Sequence, residues 1–365
     1  MRLDQVCLIR RGSTITKNQV KAGNIPVVAG GKTSTISHNE ANRDANTITV
    51  SASGASAGYV NFWQVPIFAS DCSTVEVINE LADINYVYYF LKFKQDYLYS
   101  LQAGAAQPHV YAKDIAKIEI PLPPLEQQRR IASILDQADE LRQKRQQAIE
   151  KLDQLLQATF IDMFGDPVDN LKELETVALL DLCKKVTDGT HQSPKWTTKG
   201  IPFLFISNIV DGEIDYSSQK FIDQATYDSL TKSTKIELND ILYTTVGSYG
   251  NVARVKSDQL FCFQRHIAHI KPDFDKINPK FLEKMLSSYG VRRQADRLVR
   301  GVAQKTLNLK DLKEIIVFNI PLVEQNHFVQ KCEVIESLKI KSKLALNQAD
   351  DLFKSLQNQA FSGNL

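Results

Sequence analysis

Two stretches of the chain repeat apolar residues every three or four positions. In the first, Ile131, Ile134, Leu135, Ala138, Leu141, Ala148, Ile149, Leu152, Leu155, Leu156, Phe160 and Met163 make one stripe, as an amphipathic helix requires. The second runs through Phe328, Val329, Cys332, Ile335, Leu338, Leu346, Ala349, Leu352, Phe353, Leu356 and Phe361. Pro124 suits the first helical position, where a missing N–H costs nothing. Glu126 then meets the positive end of the helix dipole, and Gly165-Asp166-Pro167 stops the helix. The second helix starts after Pro321 and ends at Gly363. Helices of about 40 residues are roughly 60 Å long. That length demands a partner, and the cheapest is the other helix, packed antiparallel as a coiled coil.

Outside these helices the periodicity shortens. "NTITVSAS", "STVEVIN", "IPFLFIS" and "RHIAHIK" read as strands separated by Gly, Ser, Asn and Asp turns. Helical patterns also occur in "NYVYYFLKFKQDYLYSLQ" and "NPKFLEKMLSSYGVRRQADRLVR". The expected class is α+β.

The pattern is written twice. "GAAQPHVYAKDIAKIEIPLPPLEQQ" from Gly104 returns as "GVAQKTLNLKDLKEIIVFNIPLVEQN" from Gly301. Gly104, Ala106, Gln107, Lys113 and Asp114 match Gly301, Ala303, Gln304, Lys310 and Asp311. Pro123, Glu126 and Gln127 match Pro321, Glu324 and Gln325, so the spacing is 197 at the glycines and 198 at the Glu-Gln pair, which implies one inserted residue. Such self-similarity predicts two related modules. The expected organisation is a mixed globular domain at 1–120, a central helical spacer at 121–166, a second mixed domain at 167–320 and a C-terminal helical spacer at 321–365. Antiparallel helices would relate the two domains by a pseudo-two-fold axis.

Composition narrows the class. The 365 residues are 43% hydrophobic and 24% charged, ordinary for a globular protein and ample for more than one domain. No run of about 18 apolar residues predicts a membrane span, and "MRLDQVCLIRRGS" lacks a signal-peptide core, so a cytoplasmic location is expected. Five scattered cysteines without a C-x-x-C pair point to reduced thiols. The net charge of +2 excludes a non-specific coat for nucleic acid but allows local basic faces.

Candidate chemistry is sparse for an enzyme. "AGGKTS" from Ala29 resembles the tail of a phosphate loop, but Pro26 occupies the required earlier glycine. Cys262, His266 and His269 are close in sequence, yet in a strand the two histidines face opposite sides, so no metal is expected. Two modules on a fixed spacer instead suit a long ligand touched at two places, and DNA half-sites are such a ligand. The stretch from Tyr289 to Lys313 carries seven basic residues against two acidic ones. Base readout draws on Gln, Arg, Lys and hydroxyl side chains, and close approach favours glycine turns. The candidate DNA contacts of the first module are Lys32, Thr33, Ser34, Ser53, Ser56, Tyr59, Gln107 and His109. Those of the second are Thr190, His191, Ser193, Lys195, Ser248, Tyr249, Arg254, Arg265, Arg300, Gln304 and Lys305. Gln107 and Gln304 could equally fix their own loops, and Trp63 and Trp196 read as packing residues.

"IPLPPLEQQRRIASILDQADELRQKR" followed by "FGD", with a second "IPLVEQ" helix ending "AFSGNL", resembles the specificity subunit of type I DNA restriction–modification enzymes. The resemblance covers essentially the whole chain and is most specific in the helices and glycine loops. The second helix departs from the family's richer proline and basic run. The resemblance implies a non-enzymatic subunit with two target recognition domains, each reading half of a split DNA sequence. The helices would set the gap and dock two methyltransferase subunits, with restriction subunits completing the nuclease. S-adenosylmethionine, ATP and Mg would be held by those partners. The chain lacks an Asn/Asp-Pro-Pro-Tyr/Phe motif, which agrees with methylation chemistry elsewhere. Two other readings are a coiled-coil scaffold for a non-DNA partner and a hydrolase whose site the sequence hides.

Overall fold

The computed structural model describes every residue except Ala105, Gln192, Val302 and Ala303. The repeat match at Ala303 therefore lies outside the described residues. The chain divides into two compact units, residues 1–147 with 342–365, and residues 148–341.

In the first unit the strands are β1 (Cys7–Arg11), β2 (Ile25–Val28), β3 (Ser37–His38), β4 (Thr47–Ser51), β5 (Val60–Trp63), β6 (Phe68–Ala69) and β7 (Cys72–Val77). The helices α1 (Ile84–Phe93), α2 (Gln95–Ser100) and α3 (Ala112–Ile115) follow, then the long α4 (Leu125–Phe164). Four strands form a sheet in the order β1-β7-β4-β5, and β2 lies between β3 and β6 in a smaller sheet. β-branched "TITVS" in β4 is buried along its whole length, as a central strand with both faces covered should be. The Asp83 carboxylate caps α1 by accepting from the Asn85 and Tyr86 amides at 3.0 and 3.1 Å.

The second unit contains β8 (Thr176–Ala178), β9 (Cys183–Asp188), β10 (Ile201–Leu204), β11 (Ile209–Val210), β12 (Glu213–Ile214), β13 (Phe221–Ile222) and α5 (Gln224–Thr231). It continues with β14 (Ile241–Thr244), β15 (Val252–Arg254), β16 (Cys262–Phe263), β17 (Ile267–Pro272), α6 (Pro279–Leu286), α7 (Tyr289–Leu298), α8 (Leu309–Lys313), β18 (Ile316–Phe318) and the long α9 (Leu322–Ser362). Its main sheet runs β9-β17-β14-β15, and β10 lies between β13 and β16. Both small sheets pair their central strand antiparallel on one side and parallel on the other. The two modules therefore share one topology, with the β11–β12 hairpin and α5 added to the second. The mixed helix and sheet content agrees with the α+β expectation.

Each unit includes part of both long helices, packed antiparallel within it. In the first, Ile131, Leu135, Phe353 and Ala360 join the module core, and the Arg142 guanidinium bridges Asp139 at 2.6 Å and Asp350 at 2.5 Å. In the second, Phe160, Phe164 and Phe328 join the core, and Lys339 pairs with Asp153. Leu141, Leu155, Leu338 and Leu352 of the predicted stripes are exposed. The stripe is thus wider than the seam the helices bury. Gly165 and Gly363 both end their helices at φ +81°, the left-handed turn only glycine adopts without penalty.

Two details of the junction differ from the sequence reading. Pro124 is an N-cap, not the first helical residue, and its carbonyl accepts from the Gln128 amide at 3.1 Å, just as the Pro321 carbonyl, before the expected start of the second helix, accepts from the Gln325 amide at 3.1 Å. The equivalent glutamines are accordingly Gln128 and Gln325, 197 positions apart, and no residue is inserted. Gln128 Nε2 donates to Leu81 O and Pro123 O, both at 2.8 Å, while its Oε1 accepts from the Asp83 amide at 2.9 Å. Gln325 repeats this with Lys276 O at 3.0 Å, Ile320 O at 2.6 Å and the Asn278 amide at 2.7 Å. The matched "EQ" letters misled because identity fell one position before the shared role. Each glutamine is buried and ties a helix start to the loop before α1 or α6. Gln325→Ala strands those partners, and at roughly 1–3 kcal/mol per unsatisfied group it should destabilise the second unit by about 3 kcal/mol in urea unfolding. An unchanged midpoint would remove the clamp from the account.

Candidate nucleic-acid interface

Three segments meet at the end of each main sheet, and main-chain bonds join them in the same way twice. The first is a corner after the opening strand. The Gly12 and Ser13 amides donate to Cys72 O at 2.8 Å and Ala69 O at 2.9 Å, and the Gly189 and Thr190 amides donate to Ile267 O and Phe263 O at 3.2 Å. A Cβ on Gly12 would stand 2.1 Å from Ser70 O, and one on Gly189 would stand 2.3 Å from Phe263 O. Only glycine fits there.

The second segment is the turn after β4 or β14, and the third is the glycine hairpin before α3 or α8. Gly54 N donates to Pro108 O at 3.0 Å and Val110 N to Ala52 O at 3.0 Å; the counterparts are Gly247 N to Lys305 O at 2.9 Å and Leu307 N to Thr245 O at 2.8 Å. The hairpins close by reciprocal bonds, Ala103 with His109 at 2.9 Å and Arg300 with Thr306 at 2.9 and 2.8 Å. Gly104 and Gly301 adopt φ +105° and +99°, and an added Cβ would press on Gln107 O at 2.7 Å or Gln304 O at 2.4 Å.

The side chains on these two rims differ. On the first, Lys32, Thr33 and Gln107 are exposed. Lys32 Nζ and Lys92 Nζ both approach the Tyr59 ring, 5.3 and 4.9 Å from its centre. Burial lowers the Lys92 pKa. His109 stacks on Tyr111 at 6.2 Å. Ser34 Oγ donates to Val27 O and Ile36 O at 2.9 Å and so shapes its loop, and Ser56 O accepts from the Tyr59 amide at 2.9 Å. Gln107 Nε2 donates to Ser53 Oγ at 3.4 Å, and Ser53 Oγ donates to Asp71 Oδ2.

On the second rim Ser193, Lys195, Ser248, Arg265, Gln304 and Lys305 are exposed. Arg300 lies 3.7 Å from Asp311, and His191 Nε2 is 2.9 Å from Asp188. The Thr190 carbonyl accepts from the Arg265 amide at 3.0 Å, and Thr245 N donates to His266 O at 2.9 Å. Corner, turn and hairpin are therefore one hydrogen-bonded surface.

Known proteins place this arrangement. Residues 1–151 match the family model described as the type I restriction modification DNA specificity domain. The chain is 29% identical over 302 residues, 74% of its length, to the type I restriction enzyme EcoBI specificity subunit of Escherichia coli. It is 24% identical over 339 residues, 88% of its length, to the MjaVIII specificity subunit of Methanocaldococcus jannaschii. Residues 1–151 thus match this family's domain, and most of the chain is similar to type I specificity subunits. The match spans 64% of the EcoBI subunit and 79% of the MjaVIII subunit. The fold resembles the crystal structure of a type I restriction–modification S subunit from M. genitalium, with TM-score 0.59 and 18% identity over 99% of this chain and 95% of that one.

Among the residues expected at the interface of this specificity-subunit fold, Ser53 is buried against Asp71 and two more, Tyr249 and Arg254, are drawn inward. Tyr249 is 5% exposed. Its hydroxyl donates to Asp296 Oδ1 at 2.7 Å, and the Arg292 guanidinium covers its ring at 4.3 Å. Arg254 Nε donates to Glu283 Oε2 at 3.1 Å and Nη1 to Asn239 Oδ1 at 2.7 Å. A charge as buried as Glu283, 3% exposed, requires such a partner. Tyr249 and Arg254 thus commit these polar groups to partners within their own unit and support the rim from behind. The basic stretch is also partly consumed: Arg292 pairs with Asp296 at 3.0 Å, and Arg293 pairs with Asp169 at 2.7 Å.

His269 lies buried against Asp240 at 2.6 Å, and among the described residues no group of His, Cys, Asp and Glu could hold a metal. Burial pushes the Cys262 thiol up to about 11 and Cys7 up to about 12. Trp63 donates from Nε1 to Thr49 Oγ1 at 2.9 Å and Trp196 packs edge-on against Phe203 at 5.0 Å, the packing roles read from sequence. No helix of the described residues is long and apolar enough to cross a membrane.

Sequence reasoning missed Ser13 and Asp71. Ser13 is the backbone equivalent of Thr190, and the signal was present: "GST" and "DGT" follow the first strand of each copy, with their glycines 177 positions apart. The exposed cations should act through phosphate charge. Lys305→Ala and Arg265→Ala should each lower the slope of log affinity against log salt by about 1, uniformly across DNA sequences. Equal slopes before and after substitution would take those side chains off the DNA.

Proposed function

We propose that this chain is the non-catalytic DNA-specificity subunit of a type I restriction–modification complex. Each rim reads one half of a bipartite target. The observation that carries this reading is that one loop framework is built twice from main-chain bonds while its side chains differ. A framework that fixes position and frees side chains is what two half-sites of different sequence need. The match of residues 1–151 to the specificity domain and the similarity to type I specificity subunits support the same conclusion.

The long helices set the gap between the half-sites and dock two methyltransferase subunits, with restriction subunits in the full complex. The exposed Leu141, Leu155, Leu338 and Leu352 offer apolar area for such docking. S-adenosylmethionine, ATP and Mg belong to the partner subunits, where adenine methylation and cleavage occur. The complex works in the cytoplasm.

Methylome sequencing of cells carrying the methyltransferase subunit, with and without this chain, tests the proposal. A gapped motif that appears only with the chain is the expected result. Adding one helical turn to both long helices should widen the gap and leave both half-sites intact. A motif independent of the chain would refute the proposal, and changed half-sites at the old gap would refute the ruler.

A further inference from the structure

The first rim carries an acid where DNA would approach. Asp71 is half-buried between β6 and β7. Its Oδ2 accepts from Ser53 Oγ, which in turn accepts from Gln107 Nε2 at 3.4 Å. Gly30 packs beside it: a Cβ there would stand 3.1 Å from Asp71 Oδ2 and 2.5 Å from Ser53 O. The loop that bears Lys32 therefore runs directly past the carboxylate. Among the described residues, Oδ1 accepts no hydrogen bond and no cation pairs with Asp71. Lys32 is turned to the Tyr59 ring.

A carboxylate facing DNA repels phosphates and adds nothing to affinity. The second module shows that the framework does not require one. The amide of Ala52 donates to Asp71 O and that of Thr245 to His266 O, so His266 holds the equivalent place, with Arg265 beside it. What a carboxylate does supply is an acceptor, and major-groove base edges offer donors for it only at exocyclic amines, N4 of cytosine and N6 of adenine.

Resting on the reading of the rims as half-site readers, we infer that Asp71 is a specificity-determining residue of the first module, whose free carboxylate oxygen accepts a hydrogen bond from the exocyclic amine of one base. Ser53 holds the other oxygen and Gln107 orients Ser53, so the three side chains act as one reader. The second rim, with Arg265, Gln304 and Lys305, presents donors instead and suits guanine N7 and O6. The two half-sites should accordingly differ in chemistry at the base facing this corner.

The test uses the full chain with its methyltransferase partner. Asp71→Asn keeps a carbonyl for Ser53 and replaces the free oxygen by a donor. The expected methylome shows one position of one half-site changed from an amine-bearing base toward guanine or thymine. Asp71→Ala should leave that same position read with about tenfold less discrimination. An unaltered motif, whether at full or uniformly reduced occupancy, would overturn the inference. If neither variant methylates, binding of the complex to target and single-base variants decides. Discrimination kept at every position overturns the inference, and discrimination lost at one position sustains it. Failure of the underlying reading looks different, since the unsubstituted chain would then direct no motif at all.

Discussion

Exchanging residues 1–120 for the corresponding segment of another specificity subunit should replace one half of the methylated motif and leave the other half and the gap unchanged. The basis is the self-sufficiency of each rim. Gly12, Gly54, Ala103 and His109 take their main-chain partners from within the first unit, and Gly189, Gly247, Arg300 and Thr306 take theirs from within the second. An exchange therefore breaks no bond of the other rim. Methylome sequencing of the chimera reads the result directly, and loss of both halves would contradict independent readers. A wrong half-site should lower affinity by about 1–3 kcal/mol for each mismatched base pair. A four-base change is then enough to move methylation wholly to new sites.

Phe328→Ala should be the most damaging single change to folding of the second unit. Its ring is fully buried and lies 5.5 Å from Phe160, 5.6 Å from Phe164 and 5.8 Å from Phe281, each edge-on. Such substitutions cost about 3–5 kcal/mol through lost burial and the cavity left. Edge-to-face pairs add to that loss. Against a domain stability of roughly 5–15 kcal/mol, the second unit should melt about 10 °C lower. Calorimetry is the measurement, with Phe328→Leu as the volume-sparing control expected to retain most of the difference. Equal melting of Phe328→Ala and the unsubstituted chain would show that the four rings do not act as one cluster.

The large periodic features were legible in the sequence and the rim was legible only in part. Forty-residue helices declare themselves because each turn repeats the same demand, and α4 and α9 begin one residue after Pro124 and Pro321. The glycine hairpins were visible because their letters repeat at a fixed interval. Gln128 was obscured because its role depends on Leu81 and Asp83, more than forty positions away. Tyr249 and Arg254 looked like ligand contacts because polar side chains in glycine turns usually face solvent, whereas α6 and α7 supply Glu283 and Asp296 to draw them in. Asp71 escaped notice because nothing near it in sequence marks it. It becomes conspicuous only when the fold sets it against Ser53 and Gly30.

The rims are tied by amides, carbonyls and glycines, and almost none of those ties involves the side chains at the tips. Substitutions at Lys32, Gln107, Ser248, Arg265, Gln304 or Lys305 therefore carry little folding penalty. Mutational drift can sample new targets one position at a time in a chain that stays folded throughout. On the proposed reading, a change of target can in this way be reached by point mutation alone, without recombination.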